Sequence, residues 1–135
     1  MILDGFSDLN WGVVVVAAVA YFLLGFLWYS DALFGKQYRA AIDAEEGGSP
    51  PVPAIVSNLV AWFIAAIALG LIATAIGVDG AVDGIVLGLV VTIGFIGTNR
   101  VVGRMYGADN PKLMPINAPY ALLGYSLMGA IFGLM

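Results

Sequence analysis

The sequence predicts an all-α fold embedded in a bilayer: an integral membrane four-helix bundle with both termini outside and a short amphipathic interfacial helix after the first span. Three observations predict it. Of 135 residues, 61% are hydrophobic and only 10% are charged, against roughly a quarter charged in a soluble domain. So few charges cannot clothe a water-facing surface, and the mean hydropathy of +0.99 agrees. The apolar residues fall in stretches of about 20, the length that crosses a hydrocarbon core at ~1.5 Å per residue. Clusters rich in Gly, Pro and Asp separate these stretches.

The first span is expected over about 11–30, "WGVVVVAAVAYFLLGFLWYS". Ahead of it, "MILDGFSDLN" carries Asp4 and Asp8 but no Lys or Arg. A cleaved signal peptide has a basic start and a small-residue cleavage site, so this run is expected to be retained. The second span is expected over about 54–78, behind Pro50, Pro51 and Pro53, which a helix tolerates in its first turn but not in its interior. "GVDGAVDG", Gly77 to Gly84, forms a short turn before a third span at about 81–103, whose end Asn99 and Arg100 interrupt. "GADNPKLMP", Gly107 to Pro115, then breaks the chain before a fourth span at about 115–135. One four-span domain thus covers 1–135, with inner loops at 31–53 and 104–114.

Charge sets the orientation. The five basic residues Lys36, Arg39, Arg100, Arg104 and Lys112 all fall in or beside the loops after spans one and three. Basic residues gather on the cytoplasmic side, so both loops are expected inside. Asp4, Asp8, Asp79 and Asp83 are then outside. The expected location is multi-pass in the inner membrane of a prokaryotic cell. In the first inner loop, Phe34, Tyr38 and Ile42 recur every four residues. That period predicts an amphipathic helix in the headgroup layer, with Gly35 counting against it. "LWYS" at Leu27 to Ser30 reads as an aromatic belt at the membrane face.

The residue inventory narrows the chemistry. The chain has no Cys and no His, which removes thiolate metal sites, disulfides, Cys nucleophiles and imidazole acid–base chemistry. A net charge of −4 argues against a nucleic-acid partner. No Ser or Asp has a base at hand, no phosphate-cradling GxxxxGK[ST] motif occurs, and no carboxylate lies deep in a span. No catalytic residue, cofactor or metal is therefore expected.

Small and polar residues separate along the expected spans. Gly84 and Gly88, Gly129 and Gly133, and Ala66 with Gly70 are each four apart, the spacing of close helix packing in lipid. They are expected in the outer half or just beyond the midplane. The candidate binding cluster lies toward the inner half: Tyr29, Asp31, Asn58, Asn99, Arg100, Arg104, Asn117 and Tyr120. Two readings fit. These residues either approach headgroups, or line a vestibule open to the cytoplasm and closed outside. Asn58, about one turn inside its span, favours the vestibule. So does Arg100, because an arginine at a helix centre costs about 2.5–3.5 kcal/mol and less near an end. Asp31 is the expected partner of Arg100.

"NW" at Asn10-Trp11, "GFLWYSDALFGKQY" from Gly25, and "INAPYALLGYSLMGAIFG" from Ile116 together resemble domain-of-unknown-function family 1761, a group of small multi-span membrane proteins. The resemblance implies a membrane location and a four-helix unit. It transfers no activity and no catalytic residues. Within the chain, Gly25-Phe26 with Gly35 to Tyr38 also resembles Gly94-Phe95 with Gly103 to Tyr106, either as a duplicated hairpin or by chance. The functional expectation is a small non-enzymatic membrane protein acting as a homo-oligomer or accessory subunit through its Gly-bearing faces. The alternative is a small channel or permease for an ion or a polar solute, anions included, using the inner cluster. The expected partners are lipid and another copy or another membrane protein.

Overall fold

The computed structural model describes residues 4–30, 33–41, 52–107 and 114–135. All regular structure among them is helical. Helix α1 is one turn, Gly5–Asp8, followed by α2, Trp11–Trp28, α3, Gly35–Ala41, and α4, Val52–Ile76. The chain continues as α5, Gly80–Val91, a π-helical segment, Thr92–Gly97, and α6, Thr98–Met105, and ends in α7, Met114–Leu134. Three stretches are long and apolar enough to cross a membrane: α2, α4, and the 26-residue rod from α5 through α6. Helix α7 has 21 residues, but Pro115, Asn117, Pro119, Tyr120, Tyr125 and Ser126 make it more polar.

Local chemistry explains the ends. Asn10 stands before α2 in extended conformation, and its side-chain oxygen accepts from the backbone N–H of Gly12 at 3.1 Å and of Val13 at 3.3 Å. That cap satisfies donors the helix leaves open. At the other end, Trp28 O accepts from Phe34 N at 3.0 Å and Ser30 O from Gly35 N at 2.8 Å. The chain folds back so tightly that a Cβ at position 35 would strike the backbone of Tyr29 and Ser30. The glycine that counted against a helix is therefore what lets α3 begin. The side chains of Tyr38 and Arg39, and residues 42–51, lie outside the described residues.

Packing centres on α7. It contacts α2, α4 and α5, whereas α4 and α5 scarcely touch. Antiparallel pairing follows from the matched residues: Gly84 against Gly129, Gly88 against Tyr125, and Gly80 against Gly133 along α5 and α7. At Gly84 and Gly129 each backbone occupies the space a Cβ on the other would need. This is the close approach small residues allow in lipid, where helices associate by packing rather than by escape from water. Gly70 on α4 lies under Leu9 and Phe132, whose side chains would be 2.8 Å from a Cβ there. The core beneath is Val14, Ala17, Ala18, Tyr21, Ala66, Leu69, Leu87, Tyr120 and Met128.

The π-helical turn was not legible in the apolar pattern. Thr92 is buried there and donates to Gly88 O at 2.7 Å, and Thr98 donates to Gly94 O at 2.9 Å. The two segments compared as a repeat also take different local forms. Gly94-Phe95 sits in the π turn and Gly25-Phe26 in regular α-helix; Gly103 to Tyr106 closes a helix, whereas Gly35 to Tyr38 opens one.

Candidate functional site

Two distant pieces of the chain meet where α2 ends and α7 begins. Pro119 has no N–H, so Pro115 loses its usual helical donor and the first turn of α7 is opened. The next carbonyl, Ile116 O, receives the Trp28 indole Nε1–H at 3.0 Å. Beside it, Tyr29 Oη donates to Asn117 Oδ1 at 2.5 Å. The turn after α2 folds the Phe34 ring onto Trp28, with centroids 4.6 Å apart. Thus Trp28 and Tyr29 of "LWYS" clasp Ile116 and Asn117 of "INAPY".

Above the clasp the rings continue inward. Tyr120 donates to Tyr21 O at 3.3 Å and sets its ring edge-on to Tyr29 at 5.2 Å and Tyr21 at 5.0 Å. Tyr21, only 1% exposed, stacks on Trp62 of α4 with centroids 4.1 Å apart and planes 7° from parallel. Tyr125 meets Tyr21 edge-on at 5.5 Å. Gly124 leaves room for the Tyr21 ring on α7. Such aromatic pairs contribute about 0.5–1.5 kcal/mol each beyond the area they bury.

The expected inner cluster thus divides. Tyr29, Asn117 and Tyr120 come together. Arg100 on α6 is half-buried and is not brought against Tyr29, Asn117 or Tyr120 by any hydrogen bond among the described residues. Asn58, Asn99 and Arg104 are exposed, and Arg104 Nη1 rests 3.5 Å from Met114 Sδ. Asp31, the expected partner of Arg100, lies outside the described residues. Tyr21, Trp62 and Tyr125 did not stand out in the sequence, since single rings inside apolar runs read as packing. A weak signal was present in Gly124, a small residue between two tyrosines of one span.

Hydroxyls elsewhere in the long helices are satisfied by their own backbone. Thr74 donates to Gly70 O at 2.8 Å and Ser126 to Leu122 O at 2.7 Å, bonds to the carbonyl four residues back that suit a hydrocarbon setting. Among the described residues no group of three carboxylates converges that could hold a metal ion.

Neither a curated protein nor a solved structure matches the chain. A family model described as "Protein of unknown function (DUF1761)" matches residues 13–133, from within α2 to the penultimate residue of α7. That span takes in the Trp28–Tyr29 and Ile116–Asn117 clasp entire, and the chain belongs to the DUF1761 family.

Proposed function

We propose that the chain is a non-enzymatic membrane protein that crosses the bilayer four times and works as a subunit of a homo-oligomer. Four crossings are supported by α7, which is long enough and lies antiparallel between two apolar helices, α2 and α5. The basic loops then face the cytoplasm of a prokaryotic cell and both termini face out.

The observation that carries assembly is the cleft between α4 and α5. It has a volume of about 310 Å³ and is walled by Ile76, Val78, Val86, Leu87 and Val90, with Asp83 at its edge. The glycine pairs expected to hold copies together are used inside one chain, between α5 and α7. The assembly face is therefore the other side of α5, which α7 leaves uncovered. Because the chain has no native cysteine, Val86→Cys reports only itself. Oxidative crosslinking in membranes should give a dimer band, and native mass spectrometry a fixed copy number. A monomer in both measurements rejects the assembly.

A channel or permease is the second reading, favoured by the half-buried Arg100 on α6. The stacked Tyr21 and Trp62 rings fill the middle of the bundle, so a solute path would run between copies. Flux into liposomes containing purified protein tests it.

A further inference from the structure

We infer that α6 is a docking helix for anionic phospholipid, on which Arg100 and Arg104 grip headgroup phosphate in the cytoplasmic leaflet. The inference rests on the bilayer-crossing reading and its orientation, not on assembly.

The third rod runs 26 residues from Gly80 to Met105, whereas about 20 residues at ~1.5 Å each cross the hydrocarbon. Counted from its start at Gly80, the apolar layer is used up close to Arg100, and α6 emerges among the headgroups. Packing against the bundle ends at the same level. Helix α5 is seated on α7, but α6 meets the π turn and scarcely touches any other described helix.

The residues of α6 divide by side. At 3.6 residues per turn, Arg100 and Arg104 stand about 40° apart around the helix and about 5–6 Å apart along it. Val101, Val102 and Met105 take the other side, and with Tyr106 just beyond them all four are more than half exposed. The bundle covers none of these four side chains. An apolar arc for acyl chains, opposite two cations at headgroup depth, is the pattern of a helix that binds a membrane surface.

Neither arginine is neutralised among the described residues. Arg104 Nη1 rests 3.5 Å from Met114 Sδ, a weak acceptor. The described carboxylates stand at the other end of the molecule: Asp4 and Asp8 flank α1, which lies against Leu71 and Thr74 of α4, and Asp79 and Asp83 open α5 just beyond. A guanidinium fork matches phosphate oxygens with paired N–H bonds. Two such forks on one side carry a charge that an anionic headgroup offsets, whereas a zwitterionic headgroup brings a cation of its own. The exposed apolar arc selects a lipid over a soluble anion.

The test places the full chain in nanodiscs of phosphatidylcholine, and of phosphatidylcholine with phosphatidylglycerol. Native mass spectrometry reads which lipid stays bound, and thermal unfolding reads the midpoint. The wild type should retain phosphatidylglycerol in preference to phosphatidylcholine, with a higher midpoint in the mixed discs. Arg100→Gln and Arg104→Gln should each lower that retention about tenfold, and the double variant should retain the two lipids alike. Arg104 is exposed, so Arg104→Gln keeps the fold and carries the test by itself if Arg100→Gln does not fold. Lys36→Gln removes an exposed cation of the same leaflet and should leave retention unchanged.

Equal retention of the two lipids by the wild type overturns the inference, as does wild-type retention by the double variant. So does an equal loss in Lys36→Gln, because the lipid then answers the basic charge of the inner side at large. A midpoint raised by free inorganic phosphate in phosphatidylcholine discs, and not by phosphatidylglycerol, overturns lipid as the occupant. A chain that does not cross the bilayer fails to enter discs at all, so that failure is told apart from indifference to phosphatidylglycerol.

Discussion

At the residue scale, Trp28 and Tyr29 carry more than the sequence could show. Their place at the end of an apolar run fits an aromatic belt. Nothing in that pattern separates a ring facing headgroups from one bonded to a backbone 88 residues away. The distinction lies in tertiary geometry, which brings residues 88 positions apart together and leaves no mark in the local pattern. Tyr29→Phe removes the bond to Asn117 and keeps the ring, so it should lower stability by about 1 kcal/mol. Trp28→Phe removes the donor to Ile116 O and part of the packing against Phe34, and should cost about 2 kcal/mol. Unfolding in a mild detergent with increasing dodecyl sulfate measures both. The double variant should cost less than the sum, since both bonds hold the same two helix ends.

At the scale of elements, the long helices were legible because lipid demands long apolar runs, and the turns between them because Gly and Pro interrupt those runs. The partners of the helices were not. Gly84 and Gly129 each announce a close-packing face, but spacing alone does not tell whether that face meets a neighbour in the same chain or in another copy. Gly84→Val forces α5 away from the α7 backbone and should destabilise by about 3 kcal/mol. Gly94→Ala is the contrast, because a Cβ there meets nothing within 4 Å; it should be neutral or stabilise by about 0.5 kcal/mol. Equal losses for the two variants in thermal unfolding would reject the α5–α7 contact. The π turn escaped the sequence reading for a related reason. One added residue per turn leaves hydrophobicity unchanged and shows only in the backbone.

At the scale of the molecule, composition points to lipid as the solvent and three long apolar helices agree with it, while the positions of five charges carry the proposed orientation. Cysteines placed singly at Lys36 and Tyr106 should react with an impermeant maleimide only from the cytoplasmic side, and one at Asp79 only from the opposite side. Labelling of Lys36→Cys and Tyr106→Cys from different sides would refute four crossings. The aromatic interior was the least legible level, because Tyr21 becomes central only once α4 and α7 are folded around it.

The clasp between the ends of α2 and α7 also bears on how the protein is made. A ribosome delivers Trp28 and Tyr29 long before Ile116 and Asn117, so the first helix emerges with its indole donor unmated. A chain truncated ahead of Met114 lacks both acceptors, Ile116 O and Asn117 Oδ1, and has no means of completing its own seam.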